Sequence, residues 1–337
     1  MKRWRSDTLG ISAVALALSL VGGIAGAADS CETINYSCEA AASDVVARGG
    51  RATVMLRIPG ANQCTGTLVN NARNDGRPFI VTARHCAAAG DPETQAAAVE
   101  IVYSHELPCG GGAALPSVST FGAIHRAIYQ DFWLIEALDA PPQAADAYYA
   151  GLNASDALGT SQFGVHHGNG RAKQFVEQRV ASGNIAYLVG QLVGLVISTW
   201  HTELVRGSTP FGSSGSALFD AESRVLGVLS LGAICAGNVI GNDYQQLATA
   251  WAGDGTPDTS VRPWLDPDGL GFQVLDGRWA EDAGSPPGGG PGGGSGGGGG
   301  GGAFSALGLL WVAAVLRVSA VRSRWRGAKV GKQPASL

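Results

Sequence analysis

The chain has 337 residues, 45% hydrophobic and only 15% charged, with a formal net charge of −4 and six cysteines. It is too apolar for a disordered protein and too long for a disulfide mini-protein, and its 51 glycines do not make it collagen-like. The charge is uneven: residues 28–284 carry 14 basic and 26 acidic side chains, a net of −12, whereas residues 285–337 carry six basic and no acidic ones. A globular part that acidic repels polyphosphate, so nucleic acid is not expected as a partner.

Residues 1–27 have the three parts of an export signal. Lys2, Arg3 and Arg5 precede an uncharged run from Leu9 to Ala28, and Ala25-Gly26-Ala27 offers the small residues that a signal peptidase needs. Cleavage after Ala27 is expected, a retained N-terminal anchor being the alternative. Export places the cysteines in an oxidising compartment, where they read as disulfides. The sequence holds no C-x-x-C pair, which argues against zinc, and no metal or organic cofactor is expected.

Residues 28–283 show no low-complexity break. Apolar runs alternate with Gly/Asn/Asp punctuation at Ala52–Ile58, Gly66–Asn70, Phe79–Thr82 and Ala98–Tyr103. They return at Ser161–His166, Leu188–Thr199, Ser216–Phe219 and Arg224–Gly232. Many short strands of this kind predict an all-β sandwich or barrel domain. Helical periodicity is scarce, and one late helix is expected over Tyr244–Trp251.

Residues 284–302 form a Gly/Pro-rich linker without side chains to pack. An uncharged run, Ala303–Leu316, and an arginine cluster follow; residues 303–337 are expected to be a transmembrane helix and basic tail. The run is shorter than the ~20 residues that span a bilayer, though flanking glycines and a snorkelling Arg317 extend it. An amphipathic surface helix is the alternative. The order of glycine tract, apolar helix and arginines resembles the GlyGly-CTERM sorting tail of Gram-negative bacteria. That resemblance implies temporary inner-membrane anchoring, removal by a rhomboid-type sorting protease, and delivery to the cell surface or medium.

Three strings carry chemistry. Val81-Thr82-Ala83-Arg84-His85-Cys86 ends an apolar strand on a histidine, rigidly held as a general base must be. Asp131-Phe132-Trp133-Leu134-Ile135 opens an apolar strand on an aspartate that needs a partner if buried, and an imidazole is such a partner. In Gly212-Ser213-Ser214-Gly215-Ser216 the glycines let the chain turn sharply, expose a hydroxyl and point successive N–H groups at one spot. Singly, each also fits a structural histidine, a strand-starting turn residue or a polar turn. In chain order they give His85, Asp131 and Ser214, the chymotrypsin order of the Ser-His-Asp triad.

With Cys64-Thr65-Gly66-Thr67-Leu68-Val69-Asn70-Asn71 and His166-His167, these strings resemble the trypsin-like serine peptidases of the chymotrypsin clan, nearest to the bacterial lysyl endopeptidase branch. The resemblance covers about residues 29–250. It implies two six-stranded antiparallel β-barrels with the active site between them, and the bridges Cys31–Cys235, Cys38–Cys109 and Cys64–Cys86. The last would pin its strand pair and contribute ~3 kcal/mol on a chain-entropy basis. It further implies Ser214 as nucleophile, His85 as base and then acid, Asp131 as the group orienting the imidazole, and the Gly212 and Ser214 N–H groups as oxyanion hole. Ser230-Leu231-Gly232 takes the place of the strand that pairs with substrate backbone.

The sequence departs from trypsin at Leu231, where that strand has tryptophan, and at two positions that bear on activation and specificity. Ser213 stands where trypsin has the aspartate that pairs with a freshly cut N-terminus, so activation by a buried ammonium is not expected. Cleavage after Ala27 leaves no long pro-region either, and activity should accompany folding. Ser208 occupies the position of trypsin's pocket aspartate. Asp243 lies close to where the lysyl branch carries its own, and a carboxylate there would favour Lys or Arg at P1; the alternative for Asp243 is a helix N-cap. The expected function is that of a monomeric endopeptidase acting on protein or peptide substrates. A non-catalytic adhesion or binding module on the same fold, and an esterase on the same triad, are the alternatives. His166-His167 as a metal pair is disfavoured, because adjacent strand residues point to opposite faces. Trp264-Leu265-Asp266-Pro267 and the stretch to Trp279, within an extension from about residue 253, read as packed structure without chemistry.

Overall fold

A computed structural model of the chain describes residues 32–282 apart from 61–62, 88–89, 156–157, 188–195 and 233–240. The signal peptide, the linker, the sorting tail and the Cys31–Cys235 bridge lie outside the described residues. Among the described residues no helix is long and apolar enough to cross a membrane.

The first half of the domain is built from β1 (Thr53–Arg57), β2 (Cys64–Val69), β3 (Phe79–Ala83), β4 (Glu100–Tyr103), β5 (Val118–Phe121), β6 (Ala123–Tyr129) and β7 (Phe132–Ala137). They pair antiparallel in the order β5-β4-β1-β2-β3-β7-β6. The two edges of that sheet, β5 and β6, are consecutive in the chain and separated by Gly122 alone. The sheet therefore curls until one bent strand serves both edges, giving six strands.

The second half contains β8 (Gln162–His166), β9 (Gln174–Tyr187), β10 (Val196–Arg206), β11 (Ala217–Phe219), β12 (Arg224–Leu231) and β13 (Asn242–Gln246). Their pairings run β8-β9-β10-β13-β12-β11 and return to β8 through Phe163 and Phe219, closing an antiparallel six-stranded barrel. The all-β expectation of two six-stranded barrels holds.

The apolar runs of β3 and β7 have a physical reason. Every residue of both strands is buried, because each strand is covered on two faces. Ile80, Trp133 and Ile135 point into the first barrel with Leu56, Leu68 and Ile101. Phe79, Val81, Phe132 and Leu134 point the other way and join Phe163, Phe175, Phe219 and Val228 of the second half in one cluster. A continuous apolar seam thus holds the barrels together. Burying one such large side chain stabilises by roughly 1.5–3 kcal/mol.

Two details differ from expectation. The late helix is shorter than read: Tyr244 belongs to β13, and only Leu247–Ala252 (α2) is helical. Its N-cap is Gln246, so the N-cap alternative for Asp243 falls away. A helix with no counterpart in the sequence reading, α1 (Asp44–Ala52), starts where the Ser43 hydroxyl accepts the Val46 N–H at 3.3 Å. In the segment from residue 253, Val261 and Leu265 lie in the seam cluster and Val274–Leu275 pair with the strand at residues 151–153.

Candidate active site

His85 lies in the single 3-10 turn Arg84–Ala87 that ends β3, and the Cys64–Cys86 disulfide ties that turn to the start of β2. Asp131 sits in the two-residue turn between β6 and β7, directly across from it. The Asp131 carboxylate is fully enclosed and engages His85 twice: it accepts the His85 backbone N–H at 2.9 Å and lies 3.0 and 3.1 Å from ring Nδ1. Both the position and the rotation of the imidazole are fixed. Nδ1 is the donor in that contact, which leaves Nε2 without a partner among the described residues and the ring 27% exposed. Burial by itself pushes the His85 pKa down. The charge and hydrogen bond of Asp131 outweigh it, so the imidazole titrates above its ordinary value.

The Asp131 backbone is held from the other barrel. Its N–H donates to the Gln245 side chain of β13 at 2.6 Å, and the same amide donates to the Tyr129 carbonyl at 2.8 Å. The sequence reading did not single out Gln245, since a polar residue in a short strand carries no signal of its own.

Ser214 is half-buried in the turn between residue 211 and β11. Its carbonyl accepts the Thr65 N–H at 2.9 Å and lies 3.8 Å from Cys86 Sγ, one residue beyond His85. Gly215 has φ +81°, and a Cβ there would overlap Thr82 Oγ1 and the Thr65 carbonyl and approach the Ala83 nitrogen to 2.8 Å. The turn is therefore pressed against the strand end that carries His85. Ser214 Oγ makes no hydrogen bond among the described residues, to His85 or otherwise; such contacts often tighten only when substrate is bound.

Ser213 turns inward. Its N–H donates to the Pro210 carbonyl and its carbonyl accepts the Ser216 N–H, each at 3.0 Å. The N–H groups on either side, Gly212 and Ser214, have no acceptor among the described residues. Gly212 adopts φ +94°, and a Cβ on it would stand 2.9 Å from the His167 carbonyl, so the turn needs glycine there. Two unpaired donors beside a hydroxyl and an imidazole can receive a negative oxygen and move a proton.

Ser230 and Leu231 end β12, and Gly232 follows them. A Cβ on Gly232 would meet the Thr209 carbonyl at 2.6 Å, so this edge runs beside the segment leading into the nucleophile turn. Ser208 is buried on that segment, and Thr209 bonds Asn242 at 2.6 Å. Asp243 is the β-partner of Leu231 and, two residues from Gln245, shares the strand face that reaches Asp131. Its carboxylate is 18% exposed and stands 3.2 Å from both the Thr199 hydroxyl and His201 Nδ1. His201 is a neighbour that the sequence left without context.

His166 and His167 are both enclosed and bond to protein groups, His166 Nδ1 to Ser213 and Gly168 and His167 Nδ1 to the Arg171 carbonyl at 2.9 Å. Burial lowers the His166 pKa to about 4 and that of His167 well below its ordinary value. Among the described residues no cluster of His, Cys, Asp and Glu could hold a metal ion. The structure also contains the Cys38–Cys109 and Cys64–Cys86 bridges, as implied, and bridges of this kind belong to proteins of oxidising compartments.

Compared with known proteins, residues 25–246 match the family model of the lysyl endopeptidase C-terminal domain. A curated relative, the lysyl endopeptidase of Pseudomonas aeruginosa, is 32% identical over 166 residues, which is 47% of this chain and 34% of that protein. The chain thus spans about a third of the length of the curated relative it matches. Among solved structures, the active form of the Rv3671c protease from M. tuberculosis is similar over 60% of this chain and 78% of that one, with 16% identity and a TM-score of 0.41. The MamO protease domain from Magnetospirillum magneticum is similar over 59% and 93%, with 15% identity and a TM-score of 0.39.

Proposed function

Because this chain belongs to the lysyl endopeptidase C-terminal domain family, we propose that it is an exported serine endopeptidase cleaving after Lys or Arg. The observation that carries the reading is the enclosed Asp131 carboxylate gripping both the backbone and Nδ1 of His85, beside a serine turn with two unpaired N–H groups. In this mechanism Ser214 Oγ attacks the scissile carbonyl and its proton passes to His85 Nε2. Asp131 keeps the productive tautomer and stabilises the imidazolium, which then protonates the leaving amine. The Gly212 and Ser214 N–H groups receive the oxyanion; losing one such donor typically costs ~3–4 kcal/mol of barrier. Water repeats the sequence on the acyl-enzyme. The edge at Ser230, Leu231 and Gly232 pairs with substrate backbone.

Asp243 supplies the P1 charge in this reading. Within residues 28–283 there are 13 arginines and a single lysine, Lys173. That lysine is enclosed, with Nζ 2.9 Å from Glu106 Oε1, so the folded protein offers no accessible lysine there. This supports lysine over arginine, because many of the arginines reach solvent. Signal peptide 1–27 and tail 303–337 complete the proposal: export, a temporary membrane anchor, and release by a rhomboid-type sorting protease.

The test uses residues 28–283, refolded oxidised, against fluorogenic peptides that differ only at P1, with Ser214→Ala as control. Turnover confined to Lys or Arg, lost in Ser214→Ala and weakened in Asp243→Asn, is expected. Turnover at small or apolar P1 residues refutes the Asp243 role. Absent turnover together with absent fluorophosphonate labelling of Ser214 refutes the enzyme and leaves a binding module.

A further inference from the structure

His166 is the one enclosed imidazole that reaches the nucleophile turn, and the mechanism above leaves it without a task. Its Nδ1 accepts the Gly168 N–H at 3.1 Å and lies 2.9 Å from Ser213 Oγ. A backbone N–H can only donate, so Nδ1 carries no proton. The Ser213 hydroxyl must therefore be the donor, and the ring is the neutral Nε2–H tautomer. Ser213 itself is fully enclosed.

From this we infer that His166 is a positioning residue for peptide hydrolysis, an inference resting on the protease reading. Its Nδ1 holds the Ser213 hydroxyl inward and so keeps the Gly212 and Ser214 N–H groups facing the reacting carbonyl. Thr65 is the second arm of the same clamp. Its hydroxyl accepts the His167 N–H at 3.0 Å and donates to the Gly212 carbonyl at 2.9 Å, while its own N–H donates to the Ser214 carbonyl at 2.9 Å. The carbonyls one residue to either side of Ser213 are thus held by β2, and the Ser213 side chain between them by the end of β8. Every member is uncharged and present as soon as the two barrels meet, so the oxyanion geometry forms on folding and needs no newly cut terminus.

The test compares wild type with Ser213→Ala, His166→Leu and His166→Asn as purified residues 28–283, measuring kcat and KM on the best P1 peptide and the rate of fluorophosphonate labelling at Ser214. Loss of a single oxyanion donor is worth about 10²–10³ in kcat, so a donor pair left in place but loosened should cost about 10–100-fold. The expected result is that loss in kcat for Ser213→Ala and His166→Leu, with KM within about threefold. His166→Asn offers an acceptor near the place of Nδ1 and should recover most of the rate. A merely structural role predicts no such split and no recovery. Should His166→Leu fail to fold, Ser213→Ala decides alone, since it removes one hydroxyl. Active wild type with Ser213→Ala unchanged in kcat overturns this inference. Wild type that neither hydrolyses peptide nor labels at Ser214 overturns the reading beneath it.

Discussion

Replacing Gly215 by alanine adds one methyl at the point where the nucleophile turn meets the histidine strand. Two costs follow from the geometry. The residue sits at φ +81°, a conformation that costs a non-glycine residue roughly 1–2 kcal/mol. The new Cβ would also overlap Thr82 Oγ1 and the Thr65 carbonyl, and it would lie 2.8 Å from the Ala83 nitrogen. Two of those three atoms belong to backbone, so the neighbours cannot simply rotate away; overpacking of this kind typically costs 1–3 kcal/mol. The sum is a loss of about 2–5 kcal/mol in unfolding free energy, read as a lowered urea midpoint. What yields is the spacing between Ser214 and the turn carrying His85, and a displacement near 1 Å can cost on the order of 100-fold in rate. Both readouts should fall together: a midpoint shift, and a kcat/KM drop of about 100-fold for the fraction that remains folded. A Gly215→Ala protein with wild-type midpoint and kcat/KM within threefold would show that the turn is not seated against β2 and β3 as described.

Lys173→Met leaves Glu106 as an enclosed carboxylate whose remaining ion pair among the described residues is Arg51, 3.5 Å away, and should cost about 3–5 kcal/mol by urea unfolding, most of it recovered in Lys173→Met with Glu106→Leu. Because His85 must be neutral to accept a proton and its pKa is raised, activity should climb with pH through a midpoint above the ordinary value near 6.5; in Asp131→Asn the residual activity should rise at lower pH. His166 and His167 have lowered pKa values, so the unfolded chain takes up protons first as pH falls. Their contribution to stability is complete above pH 6.5 and is lost as pH falls, for His166 on the way down through about pH 4. For His166 the loss is up to about 3 kcal/mol, checked by urea midpoints across that interval.

The three residues proposed as the triad were legible for two reasons: His85 and Asp131 flank strands with continuous apolar runs, and Ser214 stands among glycines in a turn string that marks itself. β3 and β7 are buried on both faces, which makes their runs continuous and easy to read. β9 was not legible, since its side of the second barrel is filled by a polar network rather than an apolar stripe. Gln178 donates to the Tyr244 hydroxyl at 2.7 Å and accepts from Thr202 and Asn242, so its burial leaves no hydrophobic period in the sequence. α1 hid for the opposite reason: it contains Gly49 and Gly50, poor helix formers that local propensity counts against. The helix needs them because a Cβ on Gly50 would overlap the Tyr36 ring and one on Gly49 would come within 2.7 Å of Phe163. The pairs Ser213–His166 and Asp243–His201 depend on turn geometry and strand register, which spacing alone does not reveal.

The hidden Lys173 gives the folded and unfolded chains different fates. In the native protein the bond after it begins β9, paired with residues 34–35 and closed off beneath Tyr36 and Glu106. An unfolded copy presents the same lysine on a flexible strand. Under the proposed lysine specificity, native copies of residues 28–283 would be invisible to one another while unfolded ones become substrates, so a population would cull its own failures without any chaperone to sort them.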